Sequence, residues 1–233
     1  MIYKFIDKYL DNHFIDEISH ILNKKKDDNL IVFDVGSFLG NFSRKIRNKI
    51  QSKKIHFYLF DPNKHLEIKD FSYFKFAFSN AQGTQNYYLN DFFPSGGSSL
   101  KTIVKDDTLW IWTRKLITFN FNNKNFSSHL VDTDTIDNFC NIKKINKIDL
   151  LKIDVEGNEL EVLLGAEKTL QNIFLIQIEI LEKKNNFDEK FSQIKALLEN
   201  KYGFKMINSK KMWTLDILSN MKAIDALFIK DTK

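Results

Sequence analysis

The chain has 233 residues, 43% of them hydrophobic and 28% charged, with a net charge of +5. That length suits one domain with a full core, and that balance excludes a disordered chain. The single cysteine, Cys140, excludes an internal disulfide and any cysteine-cluster metal site.

The positive charge is spread along the chain, and its longest basic run, Lys24-Lys25-Lys26, is followed at once by Asp27-Asp28. This reads as a solvated surface, so no nucleic-acid partner is expected. No window reaches the roughly 18 uninterrupted apolar residues of a membrane helix, and acids scattered through the N-terminus are unlike a secretory signal. With one cysteine, these features fit a reducing compartment, and the expected location is cytoplasmic with no integral membrane association. Nothing in the sequence sets the oligomeric state.

Residues 1–22 place apolar groups at Ile2, Phe5, Ile6, Tyr9, Leu10, Phe14, Ile15, Ile18 and Leu22, which is helix periodicity. An N-terminal helical extension over residues 1–28 is expected, covering part of a sheet or a pocket. Its polar face mixes acids and bases, which argues against an anionic lipid surface.

The next stretch, Leu30 to Ile50, organises the rest. Leu30-Ile31-Val32-Phe33 reads as a buried strand, Asp34 to Gly40 as a turn, and Phe42, Ile46 and Ile50 as one face of a helix. Strand, glycine turn and helix in that order open a βαβ unit. Glycines let a ligand approach the backbone, and the helix N-terminus offers unpaired N–H groups. The glycines Gly36 and Gly40 do not follow the dinucleotide fingerprint, and Asp34 beside them repels a pyrophosphate. An acid there suits a ligand with an ammonium group, which favours S-adenosylmethionine over NAD.

A second strand, Ile55 to Phe60, ends in Asp61-Pro62-Asn63. An acid at this strand end, 25 residues past Gly36, can accept both hydroxyls of a ribose. A third strand is expected over Tyr73 to Phe78, with Asn80 placed to meet an adenine edge. A turn at Ala81-Gln82-Gly83 and an alternating run Thr84 to Leu89 follow.

Residues 90–128 read as an insertion that forms a lid or substrate wall. Pro94 to Ser99 reads as a mobile loop, and Leu116 to Phe121 as strand-like. Phe92, Phe93, Trp110 and Trp112 are candidates for an apolar substrate pocket, although packing onto the domain accounts for them equally well.

The second informative stretch is Ile148 to Leu160. An apolar strand ends in Lys152-Ile153-Asp154-Val155-Glu156-Gly157, and a helix follows through Leu160, Leu163, Leu164 and Leu170. Lys152 and Asp154 share a strand face, and Glu156 continues into the loop. Ligands of open parallel sheets bind outside the carboxyl ends of the strands, so these acids face the same cleft as Gly36. A buried lysine needs a partner, and Asp154 is the nearest candidate. A strand over Phe174 to Ile180, a helix over Phe187 to Asn200, and strands opening at Gly203-Phe204 and spanning Ala226 to Lys230 complete the chain. The last two are expected to be antiparallel.

In chain order, VFDVGSFLGNFS, FDP, AFSNAQGT, SSL, TDTIDNF, IDLLKIDVEGNELEVLLGA and IEI together resemble the FkbM family of S-adenosylmethionine-dependent methyltransferases. The resemblance covers about residues 30–182. It implies a class I methyltransferase fold: an α/β Rossmann-like, seven-stranded, mostly parallel sheet with an antiparallel last strand and helices on both faces. It implies methyl transfer, typically to a hydroxyl of a sugar, polyketide or similar small metabolite. Carried over, Asp34, Gly36, Ser37, Gly40 and Asn41 would hold the methionine part of the cofactor. Asp61 would take the ribose, where the family often has Glu, and Asn80 stands where the family commonly has Asp. Ser37 and Phe38 replace a usual Ala and a frequent Asn.

For the chemistry, Asp154 or Glu156 is the candidate base for the acceptor hydroxyl, with Lys152 tuning or anchoring. His129 is an alternative base, and Glu156, Glu179 and Asp132 form a weak candidate set for a divalent metal, so no metal site is assigned. Two other classes compete. Glycine spacing and the terminal hairpin argue against an NAD-dependent oxidoreductase, and the intact acids after the fourth strand argue against a non-catalytic nucleotide-binding protein.

Overall fold

The computed structural model describes residues 14–63, 65–91, 97–118, 126–212 and 219–231. Of the expected N-terminal helix, residues 1–13 lie outside this set, and its remainder is helix α1, Ile15–Asn23. The described strands run β1 Asn29–Val35, β2 Lys54–Phe60, β3 Ser72–Phe74, β4 Ala77–Phe78 and β5 Gly83–Asn90. They continue with β6 Phe126–Asp134, β7 Ile148–Ile153, β8 Ile173–Lys183, β9 Phe204–Lys211 and β10 Met221–Lys230. The helices after α1 are α2 Asn41–Lys49, α3 Thr108–Thr118, α4 Ile136–Lys143, α5 Glu159–Leu164 and α6 Lys184–Ala196.

Seven strands form one sheet in the order β3-β2-β1-β7-β8-β10-β9. β2, β1, β7 and β8 pair in parallel, and β10 runs antiparallel between β8 and β9. The expected terminal hairpin is therefore real, and its second strand inserts beside β8. Strand alternation sends the side chains of β1 to opposite faces. Leu30 and Val32 pack with Ile15, Ile18 and Leu22 of α1 and with Phe42 and Ile46 of α2. Phe33 and Val35 pack on the other face with Ile136 and Phe139 of α4, Val162 and Leu163 of α5, and Phe187 and Ile194 of α6.

Several local expectations change. The helix expected to run through Leu170 ends at Leu164, capped by Gly165, and Leu170 stands in a separate short turn, Thr169–Asn172. The apolar run Tyr73 to Phe78 is two strands: β3 extends the main sheet beside β2, while β4 pairs with β6 in a second sheet ordered β4-β6-β5. A single run of β-formers carries no mark of which partner each half takes. The break keeps both halves in one aromatic cluster: Phe60 lies 5.3 Å from Phe74, 4.5 Å from Phe78 and 5.0 Å from Phe139, measured between ring centroids. Within residues 90–128, Leu116 is helical rather than strand-like, because α3 runs to Thr118. Trp110 and Thr113 bury one side of α3, so tertiary packing overrides the β-propensity of Trp-Ile-Trp-Thr. Residues 119–121 lie outside the described set. No described helix is long and apolar enough to cross a membrane.

Candidate active site

A pocket of about 1030 Å³, its open mouth included, lies at the carboxyl ends of β1, β2 and β7. Gly36 lines its β1 side at left-handed φ, 75°, while Gly40, at φ 73°, does not line it and is packed against Leu59, Ile68 and Phe71 instead. A Cβ on Gly36 would stand 1.7 Å from the carbonyl oxygen of Asp154, so only glycine lets β1 and β7 end so close together. Gly40 is the N-cap of α2, and Asn41 opens the helix at the pocket wall. Ser37 also lines the pocket; its hydroxyl is buried and has no hydrogen-bond partner among the described residues. An orphaned buried hydroxyl beside a helix N-terminus fits a polar ligand at that point.

Asp61 lies at the other side of the turn, buried but lining the pocket. The Phe38 and Asn63 backbone N–H groups donate to its two carboxylate oxygens, each at 2.9 Å. Each oxygen keeps a second acceptor position, as a ribose diol requires. Burial pushes the Asp61 carboxyl up to about 6, against the pull of those two hydrogen bonds and of Lys152. Phe38 donates from a left-handed backbone, φ 45°, a conformation that asparagine adopts more readily. Phe60, Phe76 and Phe78 give the neighbouring wall an aromatic surface suited to a flat base.

The β7 side carries the charges. Lys152 is buried, with Nζ 3.1 Å from Asp154, 3.4 Å from Asp34 and 3.2 Å from the Gly36 carbonyl oxygen. The expected Lys152–Asp154 pair is present, and a second acid joins it. Asp34 therefore differs from expectation. It is fully buried, accepts from Ser43 at 2.7 Å and does not line the pocket. The ammonium group it meets belongs to Lys152. Strand alternation is the cause, because Asp34 and Lys152 are register partners on the α2 face.

Glu156 lines the pocket from a left-handed backbone, φ 54°, and accepts from the Gly97 N–H at 2.7 Å. Burial first, then the negative charge of Asp154, push its carboxyl up to about 7; Arg114 of α3 acts in the opposite direction. Gly97 is packed against the Trp110 ring, which ties the insertion to this carboxyl. The loop expected to be mobile is pinned here. Ser99 bridges to Tyr88, and its hydroxyl donates to the Val155 carbonyl at 3.0 Å. Residues 92–96 of that loop lie outside the described set.

Several expected residues stand elsewhere. Asn80 is exposed just past β4 and does not line the pocket, because β4 has left the main sheet for β6. Trp110 is buried with Val104, Leu181, Met221 and Ala223, and Trp112 is 61% exposed; neither lines the pocket. Phe92 and Phe93 lie outside the described residues. His129 packs on Tyr87 from β6, and Asp132 on the same strand is exposed; neither lines the pocket. Among the described residues, no group of three or more His, Cys, Asp or Glu side chains could hold a metal ion.

Sequence reasoning missed Asn63, Tyr87 and Asn158, which also line the pocket. Tyr87 belongs to an alternating run whose inward face nothing in the sequence specifies. Ser98 and Ser99, which belong to the SSL motif, line the pocket as well.

No match was found among curated proteins. Among solved structures, an FkbM methyltransferase from Methylobacillus flagellatus is 10% identical with a TM-score of 0.48, over 87% of this chain and 44% of that one. Trm5b from Pyrococcus abyssi is 13% identical with a TM-score of 0.41, over 93% and 48%. TrmK from M. capricolum, solved with S-adenosyl-homocysteine, is 11% identical with a TM-score of 0.42, over 95% and 69%. The chain thus spans less than half the length of the first two, and nothing about its chemistry follows from likenesses this weak. The sequence itself matches the family described as the methyltransferase FkbM domain over residues 34–206. That match, extending from the first glycine turn to β9, means that the chain belongs to the FkbM family of methyltransferases.

Proposed function

We propose that the protein methylates a hydroxyl group on a sugar, polyketide or similar small metabolite, with S-adenosylmethionine as donor. The observation that carries this reading is one pocket joining a ribose-type carboxylate, Asp61, to a buried carboxyl, Glu156, whose affinity for protons suits a base near neutral pH. When bound, S-adenosylmethionine supplies an electrophilic methyl group on a sulfonium.

The chain's own residues account for the rest. Asp61 accepts the ribose hydroxyls, and the aromatic wall of Phe60, Phe76 and Phe78 takes the base. Gly36, Ser37 and Asn41 offer backbone and side-chain groups to the amino-acid tail. Glu156 takes the proton of the acceptor hydroxyl, a service worth about 10²–10⁴ in rate. Asp154 keeps Glu156 proton-hungry and is itself held by Lys152. Alignment of acceptor and methyl group in the pocket would supply up to roughly 7–11 kcal/mol more.

The first test is calorimetric titration with S-adenosylhomocysteine, with NAD as control and Asp61→Ala beside the wild type. Micromolar binding of the first compound only, lost in Asp61→Ala, is the expected result, and an acceptor screen over hydroxylated metabolites follows it. Failure of S-adenosylhomocysteine to bind under any condition would overturn the cofactor assignment.

A further inference from the structure

The Glu156 loop has an unusual backbone: Glu156 at φ 54° is followed by Gly157 at φ 110°. Such segments persist only when their surroundings over-determine them. Here the surroundings are two side chains that hold the two polar groups of Gly157. Its N–H donates to Glu159 Oε1 at 2.6 Å, and its carbonyl accepts from Lys190 Nζ at 2.7 Å. Lys190 reaches this point from α6 and is 8% exposed. It also donates to the Leu181 carbonyl at 3.0 Å and pairs with Glu159 Oε2 at 2.7 Å, while Glu182 stands 3.6 Å away. A lysine ammonium has three N–H donors, and three close acceptors are present for them. No motif in the resemblance includes Lys190, which lies beyond residue 182.

We propose that Lys190 is a positioning residue: by gripping the Gly157 carbonyl it locks the backbone that aims Glu156 into the pocket. The bland reading is that Lys190 only neutralises the buried Glu159. The two readings separate because Glu159→Gln/Lys190→Met removes both charges, while the new amide oxygen at position 159 can still accept the Gly157 N–H. Replacing both members of a buried pair is tolerated far better than removing one.

The inference rests on Glu156 being the base, so the readout is independent of turnover. Carboxyl ¹³C NMR of glutamate-labelled protein follows the titration of Glu156, assigned with Glu156→Gln. The charged groups acting on Glu156 are Asp154, Glu159 and Arg114, and the neighbouring Glu179 also interacts with it. Glu159→Gln alone serves as reference, because it carries the loss of the Glu159 charge. Loss of a positive charge at Lys190 can only raise the Glu156 midpoint or leave it unchanged. Release of the loop into water lowers it.

A midpoint in the double variant at least one pH unit below that of Glu159→Gln, with S-adenosylhomocysteine affinity unchanged, is the expected result. A midpoint equal to or above the reference would overturn the inference. Glu159→Gln/Lys190→Gln keeps the space filled and one donor near the Gly157 carbonyl, so it should fall between the two; a midpoint as low as that of the Lys190→Met double variant would mean that the hydrogen bond to that carbonyl is not what holds the loop, and would overturn the inference. Full turnover by Glu156→Gln, measured separately, would remove the base assignment itself and leave the positional result standing.

Discussion

Burial has moved two pocket acids, Glu156 and Asp61, in the same direction. Their folded values, about 7 and about 6, lie above the ordinary values of 4.5 and 3.8. The stability they contribute is therefore fully present below about pH 4 and is lost as pH rises through 6 to 7. Glu156→Gln should accordingly melt a few degrees higher than the wild type at pH 8 and about the same at pH 5, while losing about 10²–10⁴ in turnover. In its proposed role, Asp61 would have to be ionised to accept both ribose hydroxyls. S-adenosylhomocysteine affinity should weaken by about tenfold per pH unit below 6, which calorimetry across pH 4.5–7.5 would read. Asp154 acts on Glu156 through its charge, so Asp154→Asn should move the rising limb of the turnover profile to lower pH. A limb that stays in place would mean that another group titrates there.

Each side of the pocket is an element whose end is set by something outside it. β4 is held at the pocket by aromatic packing against β2 and α4, with Phe78 buried among Phe60, Phe76 and Phe139. Phe78→Ala should cost about 3–5 kcal/mol, visible as a lower denaturation midpoint with an unchanged slope. Beneath it, the turn after α5 passes so close that a Cβ on Gly165 would stand 2.1 Å from the Ser79 carbonyl oxygen, which leaves no room for alanine. The insertion is anchored by Trp110 over Leu181, Met221 and Ala223, and the same ring packs on Gly97, whose N–H holds Glu156. Trp110→Ala should therefore loosen residues 97–118 to proteolysis and reduce turnover, while cofactor affinity stays close to that of the wild type. Equal proteolysis rates in variant and wild type would contradict this anchoring.

In the molecule as a whole, the pocket sits where the ends of β1, β2 and β7 meet the turns that follow them. Its lining joins parts far apart in sequence: Asp61, Gly36, Lys152 and Gly97. Binding only to the folded state, S-adenosylhomocysteine at 100 times its dissociation constant should add about 2.7 kcal/mol. For a domain of this size that is a rise of about 5–10 °C in melting temperature, absent in Asp61→Ala. The sequence by itself determined the strand–turn–helix units around Gly36 and Glu156, because glycine turns and apolar runs are local signals that survive without knowledge of the partner. It also determined the terminal hairpin, because the connection had room for only a turn and a short element, too little for a parallel crossover. The tertiary structure alone decided that Asp34 turns inward to Lys152, since register with β7 sets that face. It decided that residues 72–78 divide between two sheets, that α3 is a helix, and that Lys190 reaches the Glu156 loop. Those outcomes depend on which surfaces meet across the sheet, and a linear pattern carries no record of that meeting.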